Sequence, residues 1–232
     1  MQADNANGPV LTAVNLSRVF GSGDTAVTAL SSISLKVQQG DFLAVTGRSG
    51  SGKTTLLNLL SGLDSPTTGT VHFHGDDLAN LRESDLVEMR RHKIGFVFQS
   101  FGLMPLLSAQ ENVELPLHIG GASWRERRQK ATEALRAVGL GTRARHRPFE
   151  LSGGEQQRVS IARALVTEPE VVFADEPTGE LDTATARSIA ETLGEVAASR
   201  RATVIVATHD LDLAATAQRR LDLVDGMIVS QG

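Results

Sequence analysis

From Gly47 to Thr55 the chain reads GRSGSGKTT, in which Gly47, Gly52, Lys53 and Thr54 satisfy the spacing G-x-x-x-x-G-K-[ST]. Glycines let a backbone curl until successive N–H groups converge on one anion. A helix that starts beside them adds the positive end of its dipole. A lysine at this spacing neutralises the outer phosphates of a nucleoside triphosphate, and the next hydroxyl is a magnesium ligand. Gly47, Arg48, Ser49, Gly50, Ser51, Gly52, Lys53, Thr54 and Thr55 are therefore the candidate phosphate loop, with Lys53 also a catalytic candidate. Gly21-Ser22-Gly23 has no such lysine and reads as an ordinary loop.

Hydrolysis needs acids as well as a cradle. Val171-Val172-Phe173-Ala174 runs into Asp175-Glu176, which places two carboxylates at the end of an apolar strand, where open α/β sheets bind ligands. Asp175 is the candidate holder of Mg2+, directly or through water, together with Thr54. Glu176 is the candidate that accepts a proton from the attacking water or orients it. Gln99 follows the apolar run Ile94 to Phe98 and is a candidate water or magnesium contact; His209 follows Thr203 to Ala207 and is a candidate partner of the γ-phosphate. His72 and His74 share a strand face, but no Cys or acidic cluster completes a zinc site there, so they read as surface residues.

These residues must be positioned by an α/β frame. Phe42 to Thr46, Ile94 to Phe98, Val171 to Ala174 and Thr203 to Ala207 are apolar without alternation, as strands buried on both faces of a parallel sheet are. Leu11 to Val19, Ile33 to Val37 and Thr70 to His74 alternate, which predicts an antiparallel side sheet with one exposed face. Leu221 to Val224 and Met227 to Ser230 flank Asp225-Gly226, a tight-turn pair, and predict a hairpin. Ser123 and Glu126 form an S-x-x-E capping box for a helix whose apolar stripe is Ala131, Ala134, Leu135 and Val138 and which ends at Gly139.

With 232 residues, 41% of them hydrophobic, the chain fits one large domain. A net charge of −4 gives no general reason to bind nucleic acid. Met89 to Arg147 nevertheless carries eleven Lys or Arg against four Glu, so the basic residues are concentrated in the middle of the chain. There is no cysteine, which fits a reducing compartment; the N-terminus does not read as a secretory signal, and no run reaches the roughly 20 apolar residues of a membrane span. A soluble protein is expected, with any membrane role coming through a partner.

Leu151 to Arg158 reads LSGGEQQR, which general phosphate-loop chemistry does not require. It resembles the signature motif of the ABC ATPase family. Phe20, GRSGSGKTT, Gln99, LSGGEQQR, VVFADE, Gly179-Glu180-Leu181-Asp182 and His209 follow in that family's order over nearly the whole chain. The resemblance implies an α/β P-loop NTPase (RecA-like) core with an antiparallel β subdomain, at about residues 1–98 and 160–232. It also implies an inserted α-helical subdomain at about 99–159. It implies that Phe20 stacks on adenine and that ATP with Mg2+ is bound. Ser152, Gly153, Gly154 and Glu155, with Asp182, are then offered to the ATP of a second subunit, in a dimer that is expected to be a homodimer. The signature suits that role because Ser152 and the two glycine amides open a helix.

Phe98 to Leu117, FQSFGLMPLLSAQENVELPL, is similar to the branch that serves lipoprotein release, macrolide export, antimicrobial-peptide resistance and cell division. That branch implies an integral membrane permease of four helices with a large extracytoplasmic domain, and a peripheral ATPase on the cytoplasmic face. The basic segment falls on the helical subdomain, so Arg90, Arg91, Lys93, Arg125, Arg127 and Arg128 are candidates to face the partner or the anionic leaflet. No appended regulatory domain is expected after the C-terminal hairpin. Arg48, Phe20 and Glu180 replace the commoner Pro, Tyr, and Asn or Ala of the family pattern. The alternative, a soluble ABC ATPase of DNA repair or translation, is expected to carry coiled-coil insertions, zinc modules or tandem domains, none of which is read here. A P-loop kinase or GTPase is disfavoured by the signature and by the lack of NKxD.

Overall fold

The apolar runs assemble into two sheets. The computed structural model of the protein describes residues 8–199 and 202–232; most of the N-terminal stretch read as lacking a signal lies outside them. The first sheet is antiparallel, in the order β2-β1-β4-β5, from β1 (Leu11–Phe20), β2 (Val27–Val37), β4 (Thr68–Phe73) and β5 (Asp76–Asp77). The second has the order β10-β9-β3-β8-β7-β6. It contains β3 (Phe42–Thr46), β6 (Ile94–Val97), β7 (Val171–Asp175), β8 (Thr203–Thr208), β9 (Arg219–Val224) and β10 (Met227–Gln231). Its pairings are parallel except the β9–β10 hairpin, where Asp225 and Gly226 take φ of 47° and 74° as the turn requires.

The central strands lack alternation because each face meets a separate core. Val204 and Val206 of β8 join Phe42, Ala44, Val172 and Ala174 on one side. Ile205 and Ala207 join Leu43, Val45, Val171 and Phe173 on the other. The first core is closed by α3 (Ala109–Ile119), α4 (Trp124–Ala137), α5 (Gly153–Leu165) and α6 (Thr183–Ala198). The second is closed by α1 (Lys53–Leu60) and the antiparallel sheet. Two further helices add to these cores: α2 (Glu83–Lys93) buries Met89 in the second and α7 (Leu211–Thr216) buries Leu213 and Ala214 in the first. The strand ends of β3, β7 and β8 thus carry the phosphate loop, Asp175-Glu176 and His209 to one edge of one sheet.

Several details differ from the sequence expectation. β2 starts at Val27 rather than Ile33, because Ser31 and Ser32 break the apolar alternation while the strand continues through a residue at φ 52°. β6 stops at Val97, leaving Phe98 in the loop before Gln99. In α4 the Ser123 hydroxyl accepts from the Glu126 N–H at 3.3 Å, but the reciprocal half of the box is not made. The Glu126 carboxylate lies instead 3.6 Å from Lys130, one turn along. The other end of α4 closes as expected: Gly139 N–H donates to Arg136 O at 3.0 Å and Leu140 N–H to Leu135 O at 2.7 Å, with Gly139 at φ 76°.

Candidate nucleotide site

The loop between β3 and α1 is shaped by close backbone contacts. Gly52 caps α1 at φ 102°, and a Cβ there would meet the Ala29 carbonyl of β2, so a larger residue would push the antiparallel sheet away from the loop. Arg48, Ser49, Gly50, Gly52, Lys53, Thr54 and Thr55 line a cleft of about 690 Å3 together with Gln99, Glu176 and His209. Gly47 and Ser51 lie on the adjoining side of the loop, in a second hollow shared with His209 and the β9–β10 hairpin.

Lys53 is buried, at 6% exposure, yet carries a charge. Its ammonium donates to Gly47 O at 2.8 Å and Arg48 O at 3.3 Å and lies 3.2 Å from Glu176 Oε1. The other Glu176 oxygen faces His209, 2.8 Å from Nδ1, and accepts from the His209 backbone N–H at 3.2 Å. Glu176 itself sits at φ 46°, a left-handed conformation that is uncommon for a side-chain-bearing residue. That turn aims the carboxylate back over the loop, and the Glu176 N–H is satisfied by Ala207 O at 2.8 Å.

Asp175 Oδ2 accepts from the Thr54 hydroxyl at 2.9 Å, while Oδ1 is buried with no hydrogen-bond partner. Burial, aided by the neighbouring Glu176 charge, raises the Asp175 carboxyl above the ordinary carboxylate range against the opposing pull of Thr54 and Lys53. An unpartnered carboxylate oxygen beside a hydroxyl is the donor set of a hard divalent cation, so these residues fit Mg2+. Gln99 lies close by, with its amide against Gly179.

Not every sequence candidate joins this cleft. Phe20 is 43% exposed and outside its lining; the Arg18 guanidinium stands over its ring at 4.6 Å, and its register partner Val27 is the residue that lines the cleft. Ser152, Gly153, Gly154, Glu155 and Asp182 are also outside the lining. Ser152 caps α5 in a full capping box: its hydroxyl accepts from Glu155 N–H at 3.3 Å, and Glu155 Oε2 accepts from Ser152 N–H at 2.8 Å. That N–H, the Ser152 hydroxyl and Arg143 hold the Glu155 carboxyl below its ordinary range. Asp182 caps α6 and accepts from the Thr185 hydroxyl at 2.6 Å. Ser152 and Asp182 are exposed.

The two helix starts are packed together, and sequence reading does not name the residue responsible. A Cβ on Gly154 would collide with Thr185 Cγ2, whose rotamer is held by Asp182. Gly154→Ala is expected to cost about 1–3 kcal/mol by overpacking, and Thr185→Ser, which deletes that methyl, should recover part of the loss. Thermal melting of the single and double variants checks this; a double variant no more stable than Gly154→Ala rejects the clash. Gln157 lies within LSGGEQQR but is given no role by the motif, and Arg163 lies beyond it; Gln157 is nevertheless a polar residue where α5 turns an apolar face to the core.

The ABC transporter family model matches residues 30–179. The macrolide export ATP-binding/permease protein MacB of Hyphomonas neptunium is 46% identical over 222 residues, 96% of this chain and 34% of that protein. The MacB of Marinobacter nauticus is 44% identical over 221 residues, 95% of this chain and 34% of that protein. The chain thus spans about a third of the length of these relatives. Among solved structures, the dimeric post-hydrolysis state of the ATP-binding cassette MJ0796, bound to ADP and Pi, superposes with a TM-score of 0.88. It is 41% identical, with 96% of this chain and 97% of that one covered. CbiO1 of Clostridium perfringens, part of the ABC transporter complex cbiONQ, gives a TM-score of 0.87 at 27% identity, covering 97% of this chain and 89% of the other. With a phosphate loop, two acids at the next strand edge and a capped LSGG helix already in place, these matches establish that the chain belongs to the ABC transporter family, as one of its ATP-hydrolysing cassettes.

Proposed function

We propose that two copies of this chain close head to tail around two Mg-ATP and that closure and hydrolysis drive movement in a membrane permease. The observation that carries the closure is the placement of the signature: the exposed Ser152 caps α5, which opens with the half-buried Gly153 and the buried Gly154, outside the cleft of their own chain. ATP on one phosphate loop then finds its second anion site on another copy. The cassette MJ0796 is dimeric in its ADP- and Pi-bound structure, which supports the same reading.

Within each cleft, Lys53 leaves the Gly47 and Arg48 carbonyls and Glu176 for the outer phosphates. Glu176, so released, accepts a proton from the attacking water or orients it, and His209 holds its far oxygen. Thr54, Asp175 and Gln99 would hold Mg2+, which supplies charge neutralisation on the phosphates. Asp182 and Glu155 act at the shared boundary, and Phe20, once free of Arg18, stacks on adenine.

A groove of about 480 Å3, with Val87, Phe96, Phe98, Leu115 and Ile119 among its walls and Arg90, Arg91 and Arg163 beside them, is the surface that suits a permease segment. Among the described residues no helix is long and apolar enough to cross a membrane. Of the basic candidates, Arg90, Arg91 and Lys93 pair with Glu83, Glu88 and Glu170, and Arg127 meets His118. Arg125 and Arg128 have no carboxylate partner among the described residues, and Arg128 lies 5.5 Å from the Trp124 ring centroid. They are the cations best placed for an anionic lipid surface on the cytoplasmic face.

Affinity purification from detergent-solubilised membranes tests the partner. A co-purifying protein with four spans and a large external domain is expected, whereas a ribosome or a DNA complex would favour a soluble ABC ATPase. Reversal of Arg125 and Arg128 to Glu should lower co-sedimentation with anionic vesicles several-fold, and unchanged sedimentation removes them from this role.

A further inference from the structure

The helix that begins with the signature also reaches back into the interior. Gln157 lies five residues after Ser152 and is completely buried. Its side-chain amide donates to Pro177 O at 2.7 Å and to Phe98 O at 3.4 Å, and its Oε1 has no partner. Pro177 directly follows Glu176, and Phe98 directly precedes Gln99. One buried amide therefore touches the main chain beside both polar residues that converge on the cleft.

A second contact from the same helix fixes the far side of the Gln99 loop. Arg163 donates to Phe101 O at 3.0 Å and Gly102 O at 2.5 Å. Phe101 and Gly102 sit at φ of 60° and 59°, a left-handed pair that needs outside support. No carboxylate among the described residues pairs with Arg163, so both of its bonds go to main chain. Burial lowers its guanidinium below the ordinary range.

We propose that Gln157 is a positioning residue for ATP hydrolysis. From α5 it sets, through the Pro177 and Phe98 carbonyls, the turn that aims Glu176 and the loop that carries Gln99, with Arg163 as the second anchor of that loop. This rests on the roles given above to Glu176 and Gln99. The chain leaves β7 at Asp175, turns through the left-handed Glu176 and is next held at Pro177 O. Released there, the Glu176 carboxylate loses the fixed direction that keeps it between Lys53 and His209. A misplacement on the order of 1 Å at a reacting group costs on the order of 100-fold in rate. Because Ser152 caps α5, the same helix presents Ser152 outward and holds both loops of its own cleft.

The test is steady-state hydrolysis by Gln157→Met, which keeps the length of the side chain and removes the amide donor. Turnover at saturating ATP and magnesium should fall at least tenfold, about 1.4 kcal/mol of barrier, while KM for ATP stays within about threefold. In single-turnover measurements, Gln157→Met should add little to the loss already caused by Glu176→Gln, because the two act on one step. Turnover within twofold of the parent, or losses that multiply in the double variant, would overturn the proposal. Near-parental turnover in Glu176→Gln alone would instead overturn the role of Glu176. If Gln157→Met does not fold, Arg163→Met at the groove edge replaces it: a several-fold fall in turnover with unchanged KM, partly restored by Arg163→Lys, is expected. Equal turnover in the three Arg163 forms would reject the clamp.

Discussion

Glu176→Gln is expected to reduce ATP turnover by about 100-fold or more, the range over which a positioned general base contributes, while leaving nucleotide binding intact. The geometry explains both halves. Glu176 is 15% exposed in its side chain and has one oxygen toward Lys53 at 3.2 Å and the other toward His209 at 2.8 Å. An amide keeps the volume and can still bond to His209, so the cleft holds its shape. What it loses is the anion that draws a proton from water and the counter-charge of Lys53. Freed of that attraction, Lys53 is more available to phosphate and a negative group beside the γ-phosphate has gone, so binding should be equal or tighter. With binding kept and chemistry blocked, closed dimers should accumulate, which size-exclusion chromatography with saturating Mg-ATP reads directly. A variant that stays monomeric there sinks the closure reading, and one that hydrolyses at the parental rate sinks the assignment of Glu176.

The same residues show how far sequence carries. The phosphate loop, the acids after β7, the β9–β10 hairpin and the caps at Ser152 and Gly139 are local: each depends on residue types within a few positions, and backbone sterics or a helix end settles the outcome. The strands β3, β7 and β8 were legible because burial on both faces removes alternation over four or more residues. What stayed hidden is non-local or too polar to show a period. The sequence ESDLVEMRRHK of α2 buries only Met89, so no apolar stripe announces it. The pairing of Gly154 with Thr185 crosses 31 positions and depends on how α5 meets α6. The Lys53–Glu176 contact joins residues 123 positions apart, and it competes for the ammonium that the lysine's spacing assigns to phosphate. Phe20 shows the limit from the other side. Family order places it near adenine, yet in the fold its ring lies under the guanidinium of Arg18, two residues back on β1, a contact that residue order alone does not announce.

The Lys53–Glu176 contact makes Lys53→Ala the more severe of the two cleft substitutions. Lys53 donates to two loop carbonyls and pairs with Glu176 while only 6% exposed, so its removal strips three partners from a buried site at once. Glu176 is then left facing the carbonyls of Gly47 and Arg48 without a cation, and a triphosphate entering the cleft meets that carboxylate unscreened. Phosphate affinity and turnover should therefore fall together. Loss of a single preorganised charge-stabilising donor lowers turnover by about 100- to 1,000-fold, and the uncompensated Glu176 adds to the binding defect. Titration with a fluorescent ATP analogue and a turnover assay measure the two losses; near-parental turnover would sink the phosphate-loop assignment. The double variant Lys53→Ala/Glu176→Gln separates the causes. It should bind nucleotide better than Lys53→Ala alone, because the carboxylate left without a cation is gone, yet remain as inactive as either parent. If it binds no better, the defect lies entirely in the missing ammonium, and the Lys53–Glu176 pair is a resting contact with no bearing on how phosphate enters.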